Sequence, residues 1–155
     1  MSVAFRRESD EEHKEPRFEI PIPVGPNLVT ARGLAQARAE VIALEAAIAG
    51  KQDESLREEA ARALRYWRTR LATAELQPAA SGEMVAFGTR VTFRLKGRER
   101  TVAIVGDDEA DPAAGSIAFS APLARAMMGA EPGEHADFNG EQDAIEILNV
   151  ALIEN

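Results

Sequence analysis

The sequence contains no cysteine, and this absence excludes three kinds of chemistry. Disulfide frameworks, thiolate zinc sites and cysteine nucleophiles all need that side chain. Only two histidines are present, His13 and His135, and they lie in unrelated segments with no neighbouring ligand pattern. A metal site or a catalytic base that depends on histidine is therefore not expected.

Long apolar runs are also missing from the 155 residues. No segment approaches the ~20 consecutive apolar residues that a bilayer requires. The N-terminal segment Met1–Arg7 has no apolar signal core. We therefore expect a cytoplasmic protein of one domain, or one small domain with an appendage, that has no membrane partner.

Positive charge is scarce towards the C-terminus. Residues 78–155 carry 6 basic and 13 acidic side chains, a net charge of −7, whereas residues 30–77 carry 8 and 7, a net charge of +1. Because phosphate binding needs clustered lysine and arginine, this balance argues against nucleic-acid binding by residues 78–155. The middle region is the one expected to contact RNA or DNA.

Residues 1–27 combine mixed charges with four prolines and show no lasting helical or strand period. This composition predicts a disordered or extended leader, docked if at all around residues 18–24.

From Thr30 onward the pattern is helical. The first run is apolar at Leu34, Ala37, Val41, Leu44 and Ile48.

The spacing of that first run, three and four residues in alternation, is typical of a coiled-coil seam. Thr30 is the predicted N-cap, and the helix should end near Gly50. A second apolar run then extends to Gln77–Pro78, where proline stops it. Two helices of matched length joined by a short polar segment predict an antiparallel coiled-coil hairpin over residues 28–77.

A linker is predicted at residues 78–83, followed by a small domain at residues 84–155. Short alternating runs there predict about five antiparallel strands, with one short helix beginning at Pro122. The fold class is therefore α+β.

Between two of the strands, four carboxylates fall within residues 107–111, which predicts a solvated acidic loop. A calcium site there is the less favoured reading, since the EF-hand spacing is absent.

The junction between the two helices is the other acidic cluster. Asp53, Glu54 and Glu58 lie at the end of the predicted hairpin, and arginines follow on the second helix, among them Arg57, Arg62 and Arg65. An ordinary solvated helix face explains this pattern, with acidic residues near the helix N-terminus. The alternative is that the carboxylates reach a metal ion held elsewhere and assist phosphodiester hydrolysis.

Four segments together resemble one known family. The sequences of Ile104–Asp111, Val85–Val91 and Pro122–Gly129 are closely similar to the C-terminal domain of the GreA/GreB transcription elongation factors. Residues Asn27–Gly33 resemble the start of that family's coiled coil. The resemblance covers about residues 27–152.

This resemblance implies a C-terminal domain similar in fold to FK506-binding proteins, which docks on bacterial RNA polymerase at its secondary channel. It implies that the coiled coil enters the channel and that tip acids help the polymerase hold its Mg²⁺ while the RNA 3′ end is cleaved. Asp53, Glu54 and Glu58 are the candidate tip acids, and Arg57, Arg62 and Arg65 would face the RNA. The chain would then be no enzyme itself and would hold no cofactor or metal alone.

Two departures from the family pattern concern the tip. The family tip reads Asp-Leu-Lys-Glu-Asn-Ala, whereas residues 55–60 read Ser-Leu-Arg-Glu-Glu-Ala, so Ser55 replaces the first acid. A hydroxyl is a weaker ligand than a carboxylate for a divalent cation. The predicted arm is also shorter than in the full-length factors, as in the relatives called regulator of nucleoside diphosphate kinase. Each missing heptad withdraws the tip by ~10 Å.

Three hypotheses follow. The first is a monomeric polymerase-binding elongation regulator that docks through Pro122, Leu123, Met127 and Met128, with cleavage stimulation as a possible activity. The second is a non-catalytic competitor of other secondary-channel factors. The third is a helical hairpin that dimerises through its apolar stripes, without polymerase.

Overall fold

The computed structural model describes residues 19–50 and 53–153, and its first long element is helix α1, Ala31–Ala49. The helix begins after Thr30, whose side-chain oxygen accepts a hydrogen bond from the Gly33 amide at 3.0 Å. It ends at Gly50, whose amide donates to the carbonyls of Ala46 and Ala47. The predicted N-cap and C-terminal end of this helix are confirmed.

Helix α2, Glu54–Thr73, ends earlier than the sequence predicted. The predicted stop was Gln77–Pro78, but Glu75–Leu76 leave the helix and form a short strand, β2. That strand pairs in parallel with β1, Leu28–Val29, which precedes α1. The pairing explains the early stop, because the backbone groups of residues 75–77 bond to β1 and its neighbours instead of to the helix.

The two helices form an antiparallel hairpin, which we call the arm. Because β1 precedes α1 and β2 follows α2, their pairing brings the outer ends of both helices together at one root. Ala37 and Leu64 are buried between the helices. An ion pair also crosses the arm, from Arg68 Nη2 to Glu45 Oε2 at 2.9 Å. The apolar stripes that could have joined two copies therefore pack within one chain.

The C-terminal domain contains a five-stranded sheet in the order β5-β4-β3-β7-β6. Its strands are β3 Thr89–Leu95, β4 Arg98–Val105, β5 Ser116–Ala118, β6 His135–Phe138 and β7 Glu141–Leu152. The α+β class and the five strands are confirmed, but the sheet is mixed and not wholly antiparallel. β5 runs parallel to β4 because the ten residues between them return the chain to the level of Ala103 before it pairs again.

The predicted short helix is α3, Pro122–Met127, and it packs on this sheet. It turns Ala124 and Met127 inward, and both side chains are fully buried. The core beneath it is aliphatic with one aromatic ring. Its innermost side chains are Val85, Val91, Phe93, Ile104, Met127, Ile145 and Ile147. Neither of the two long helices described is apolar enough to traverse a bilayer.

Two glycines let the arm root approach the end of β4 closely. A Cβ atom on Gly106 would lie 2.5 Å from the backbone carbonyl oxygen of Leu28 in β1. A Cβ atom on Gly33 in α1 would overlap the carboxylate of Glu109. The spacing between arm and domain therefore depends on the absence of side chains at these positions.

We predict that Gly106→Ala destabilises the protein, because a backbone oxygen cannot move aside as a flexible side chain can. The expected loss is about 1–3 kcal/mol in the free energy of unfolding. Gly50→Ala is the matched control, since the nearest atom to its Cβ would lie 3.5 Å away and its φ of −75° suits alanine. Thermal unfolding followed by circular dichroism measures both, and equal melting temperatures would contradict the prediction.

Candidate functional site

The arm root and the domain meet at a network of buried and half-buried polar side chains, which we call the joint. It consists of Asn27, Thr30, Tyr66, Arg70, Asp108 and Glu109. Arg70 of α2 lies at its centre with 2% of its side chain exposed, and its Nε donates to Asp108 Oδ2 at 2.6 Å. Asn27 forms two further bonds with this arginine, accepting from its Nη2 and donating to its carbonyl oxygen, both at 2.7 Å.

Tyr66, which lies one helical turn before Arg70 in α2, donates the second hydrogen bond to the Asp108 carboxylate. Its hydroxyl donates to the carboxylate oxygen that the arginine leaves free. Burial first, and then the hydrogen bond to Asp108, raise the pKa of Tyr66 to about 12. Both oxygens of Asp108 are therefore bound by donors from the arm.

Glu109 makes the second set of contacts between arm and domain. It accepts from the Thr30 hydroxyl at 2.5 Å and from the Thr30 amide at 3.2 Å. The same carboxylate accepts from the Gly106 amide at 3.2 Å. Thr30 thus links the first turn of α1 to the domain while its own oxygen caps the helix.

These contacts correct the prediction of a solvated acidic loop. Asp107, Asp108 and Glu109 are half-buried, and each accepts a hydrogen bond from another segment, Asp107 from Ser120 at 2.5 Å. Only Asp111 remains exposed. Within the described residues no group of three acidic or histidine side chains is arranged to hold a metal ion. The joint was not predicted from the sequence, although Tyr66 and Arg70 at positions i and i+4 present a matching pair of donors.

The predicted tip acids lie at the far end of the arm. Asp53 is the N-cap of α2, and its Oδ1 accepts from the Leu56 amide at 3.0 Å. Glu54 follows in the first turn, and Glu58 lies one turn further on; all three side chains are exposed, as is Ser55. The 17 residues from Asp53 to Arg70 place this tip ~25 Å from the joint. The described tip residues form no metal site of their own.

The predicted RNA-facing arginines are on α2 between the tip and the joint. Arg57 and Arg65 are exposed and Arg62 is half-buried. Arg65 is already paired, because its Nε and Nη2 donate to Glu19 at 2.5 and 2.9 Å. This bond lowers the pKa of the Glu19 carboxyl. The leader therefore reaches the arm at Glu19, whereas residues 1–18 of the predicted disordered or extended leader lie outside the described residues.

The predicted docking residues separate into two groups. Pro122 and Met128 are exposed and Leu123 is half-buried, so these three can contact a partner. Met127 is fully buried in the core, because it faces the sheet one turn after Leu123. It can shape the docking face but cannot contact a partner. Beside it an open groove of about 490 Å³ is lined by Pro122, Arg125, Ala126, Asp137, Phe138 and Asn139.

Comparison with known proteins places the likeness in the C-terminal domain. Residues 80–152 match the family described as transcription elongation factor, GreA/GreB, C-terminal. Transcription elongation factor GreA of Rhizobium etli (strain CIAT 652) is 43% identical over 75 residues, which cover 46% of this chain and 48% of that protein. GreA of Maricaulis maris (strain MCS10) is 40% identical over 75 residues, with the same coverage.

The chain thus matches about half the length of these curated relatives. Among solved structures, a prokaryotic GreA/GreB transcription elongation factor from Nitrosomonas europaea aligns with 83% of this chain and 99% of its own. The Nitrosomonas europaea structure is 17% identical in sequence to this chain, with a TM-score of 0.39. The structure of Gfh1 from Thermus aquaticus is 16% identical.

We predict that Arg70→Met lowers the free energy of unfolding by about 3 kcal/mol, because it leaves the half-buried Asp108 carboxylate without its cation. Arg68→Met is the matched control, two residues away. Its ion pair with Glu45 has both side chains at least half exposed, so its loss should cost about 0–1 kcal/mol. Chemical denaturation of the two variants measures the difference, and similar midpoints would show that the joint contributes little.

A second prediction concerns the titration of Tyr66, which is the sole tyrosine in the chain. Its tyrosinate absorbance should appear with a midpoint near pH 12 in the folded protein and near pH 10 in the denatured protein. A raised pKa favours the neutral phenol in the folded state, so the stabilisation is complete below pH 10 and is lost between pH 10 and 12. Asp108→Asn should lower the midpoint in part, since burial remains. A folded-state midpoint at the denatured value would contradict the joint.

Proposed function

We propose that this chain, whose residues 80–152 match the GreA/GreB C-terminal domain family, binds bacterial RNA polymerase and regulates transcript elongation. The observation that carries the proposal is the 43% identity of the C-terminal domain to GreA. Exposed side chains at the two ends of α3 support it, since Pro122 lines an open groove and Met128, the residue after the helix, is accessible. The docking face would therefore be formed by Pro122, Leu123 and Met128, with Met127 as its buried support.

The arm supplies the second part of the proposal, namely insertion into the secondary channel of the polymerase. It extends ~30 Å from the domain and ends in exposed carboxylates. The joint would fix the direction of the arm through half-buried hydrogen bonds and the ion pair between the buried Arg70 and the half-buried Asp108. A rigid rod with a fixed direction is the element that a narrow channel requires, because productive placement depends on small distances.

At the tip, Glu54 and Glu58 and the second oxygen of Asp53 are the groups that could assist cleavage of backtracked RNA. The described residues of the tip include no complete set of metal ligands, so the polymerase would have to hold the Mg²⁺. The carboxylates would add an oxygen ligand or orient the attacking water. In this role the protein is not a nuclease, and it acts as a cytoplasmic monomer with the nascent RNA 3′ end near Arg57, Arg62 and Arg65.

One observation favours a second candidate function, that of a non-catalytic competitor for the channel. The position of the first family acid is Ser55, and the neighbouring Asp53 uses one carboxylate oxygen to cap α2. The first acid of the family tip therefore has no direct counterpart in this chain. A factor that binds without adding ligands would occupy the channel and exclude other factors.

The experiment combines the purified protein with backtracked RNA polymerase and follows the shortening of the RNA. We expect shortening by the wild-type chain and a loss of at least about tenfold in rate for the variant Asp53→Asn, Glu54→Gln, Glu58→Gln. Asparagine is chosen at Asp53 because it keeps the N-cap hydrogen bond while removing the charge. The loss should therefore report on charge and not on unfolding of the tip.

Glu75→Gln, on an exposed root strand of the arm, is the matched control and should cleave like the wild type. Binding to the polymerase is measured in parallel. Binding without RNA shortening would exclude cleavage and support competition, whereas cleavage by the triple variant at the wild-type rate would disprove the tip assignment. Absence of binding would disprove both functions.

A further inference from the structure

The described part of the leader runs beside α2, from the middle of the arm to the joint. At its inner end, Asn27 is bonded to Arg70. The chain bends at Gly25, whose φ is +95°, and the residues before the bend have no regular secondary structure. At its outer end, Glu19 is bonded to Arg65, which lies more than one helical turn nearer the tip than Arg70. Followed backwards from the joint, the leader therefore moves towards the tip of the arm.

The contact at Glu19 is a bidentate ion pair. Its two carboxylate oxygens accept from Nε and Nη2 of Arg65 at 2.5 and 2.9 Å. The hydrogen bond from Arg65, and then the charges of Arg65 and Arg62, lower the pKa of the Glu19 carboxyl. Two arginines of α2 thus attract one acid of the leader. Both partners are more than half exposed, so the pair contributes little by itself and a lasting attachment needs further contacts.

A groove of about 270 Å³ continues along α2 from this contact towards the tip. Its lining residues are three and four positions apart, so they share one face of the helix. They are Glu58, Ala61, Arg62 and Arg65. Arg57 is exposed one helical turn beyond Ala61. The groove therefore lies on the side from which the leader arrives at Glu19.

The segment that precedes Glu19 has the charge and the length to fill this groove. Residues 8–18, which lie outside the described residues, carry five acidic and two basic side chains, a net charge of −3. The groove and the neighbouring Arg57 carry three arginines against one glutamate. Eleven extended residues reach ~36 Å, whereas the helix from Arg65 to the tip measures ~18 Å. The segment can therefore follow the arm as far as the tip.

We propose that residues 8–19 form a strap that lies in this groove and covers the arginine face of the arm, so that the leader and RNA compete for the same cations. The competition rests on the proposed function, in which Arg57, Arg62 and Arg65 face the RNA. Carboxylates and phosphates are both bound by the guanidinium fork, so each can displace the other. RNA held beside the arm would displace the strap through its high local concentration. Nucleic acid free in solution would be excluded.

The position of the strap is tested by a spin label in the full chain. Because the chain contains no cysteine, Ser9→Cys creates a single labelling site. NMR spectra with the nitroxide oxidised and reduced show which amides it broadens. We expect broadening at residues 57–65 that decreases at least about twofold between ~0.05 and ~0.5 M salt, since salt screens exposed charges. Broadening centred on the basic strands β3 and β4, or none on α2 at low salt, would overturn the proposal.

Two charge variants in the Ser9→Cys background show whether the acids hold the strap. The first removes three acids of the leader and should lose the broadening of α2. It is Glu11→Gln, Glu12→Gln, Glu15→Gln. The second removes the same number of exposed acids from the domain and should keep it. It is Glu83→Gln, Glu99→Gln, Glu141→Gln. Equal broadening in the two variants would disprove an attachment by charge.

Competition is measured with a fluorescent single-stranded RNA by anisotropy. The leader variant should bind this RNA at least about threefold more tightly than the wild type, because a covered arm is unavailable to it. Added RNA should also abolish the broadening of α2 in the labelled wild type. Equal RNA affinities would overturn the competition. A chain that shows both strap and competition but does not bind RNA polymerase would support this inference and disprove the proposed function alone.

Discussion

The ion pair between Arg70 and Asp108 is the interaction on which the arrangement of the molecule depends. Two helices of about 20 residues bury little surface by themselves, and such a pair is only marginally stable without packing at its base. The ion pair supplies this base together with Tyr66, Asn27 and the Thr30–Glu109 contact. Because the arm is ~30 Å long, a rotation of only about 5° at its root would move the tip by ~2.6 Å. Rigidity at the root therefore determines precision at the tip.

Those features of the fold that follow local rules were predictable from the sequence. The cap at Thr30, the end of α1 at Gly50, the turn at Gly97 and the start of α3 at Pro122 each depend on a few neighbouring residues. The features that were missed depend on partners far along the chain. The early end of α2 is caused by pairing with β1, and the parallel placement of β5 by the path of the intervening loop.

The same distinction applies to the candidate site. Capping explains why Asp53 could be placed at the tip from its sequence position, whereas the arm residues that donate to Asp108 and Glu109 are 38–79 residues away from them. An acidic cluster in a sequence favours solvent exposure until such donors are known. The basic residues of the domain are concentrated on β3 and β4, a local grouping that the net charge of the whole region does not show.

The joint also crosses the boundary of the part of the chain that matches the GreA/GreB C-terminal family. Asp108 and Glu109 lie inside residues 80–152, while Thr30, Tyr66 and Arg70 lie before it. The likeness to the GreA/GreB C-terminal family therefore covers the domain and not the arm, whereas the contacts of the joint connect the two. An arm from another protein grafted onto this domain would have to bring its own arginine and tyrosine in register with these carboxylates. Without these side chains, the grafted arm would still fold as a helical hairpin, but its orientation relative to the domain would not be fixed.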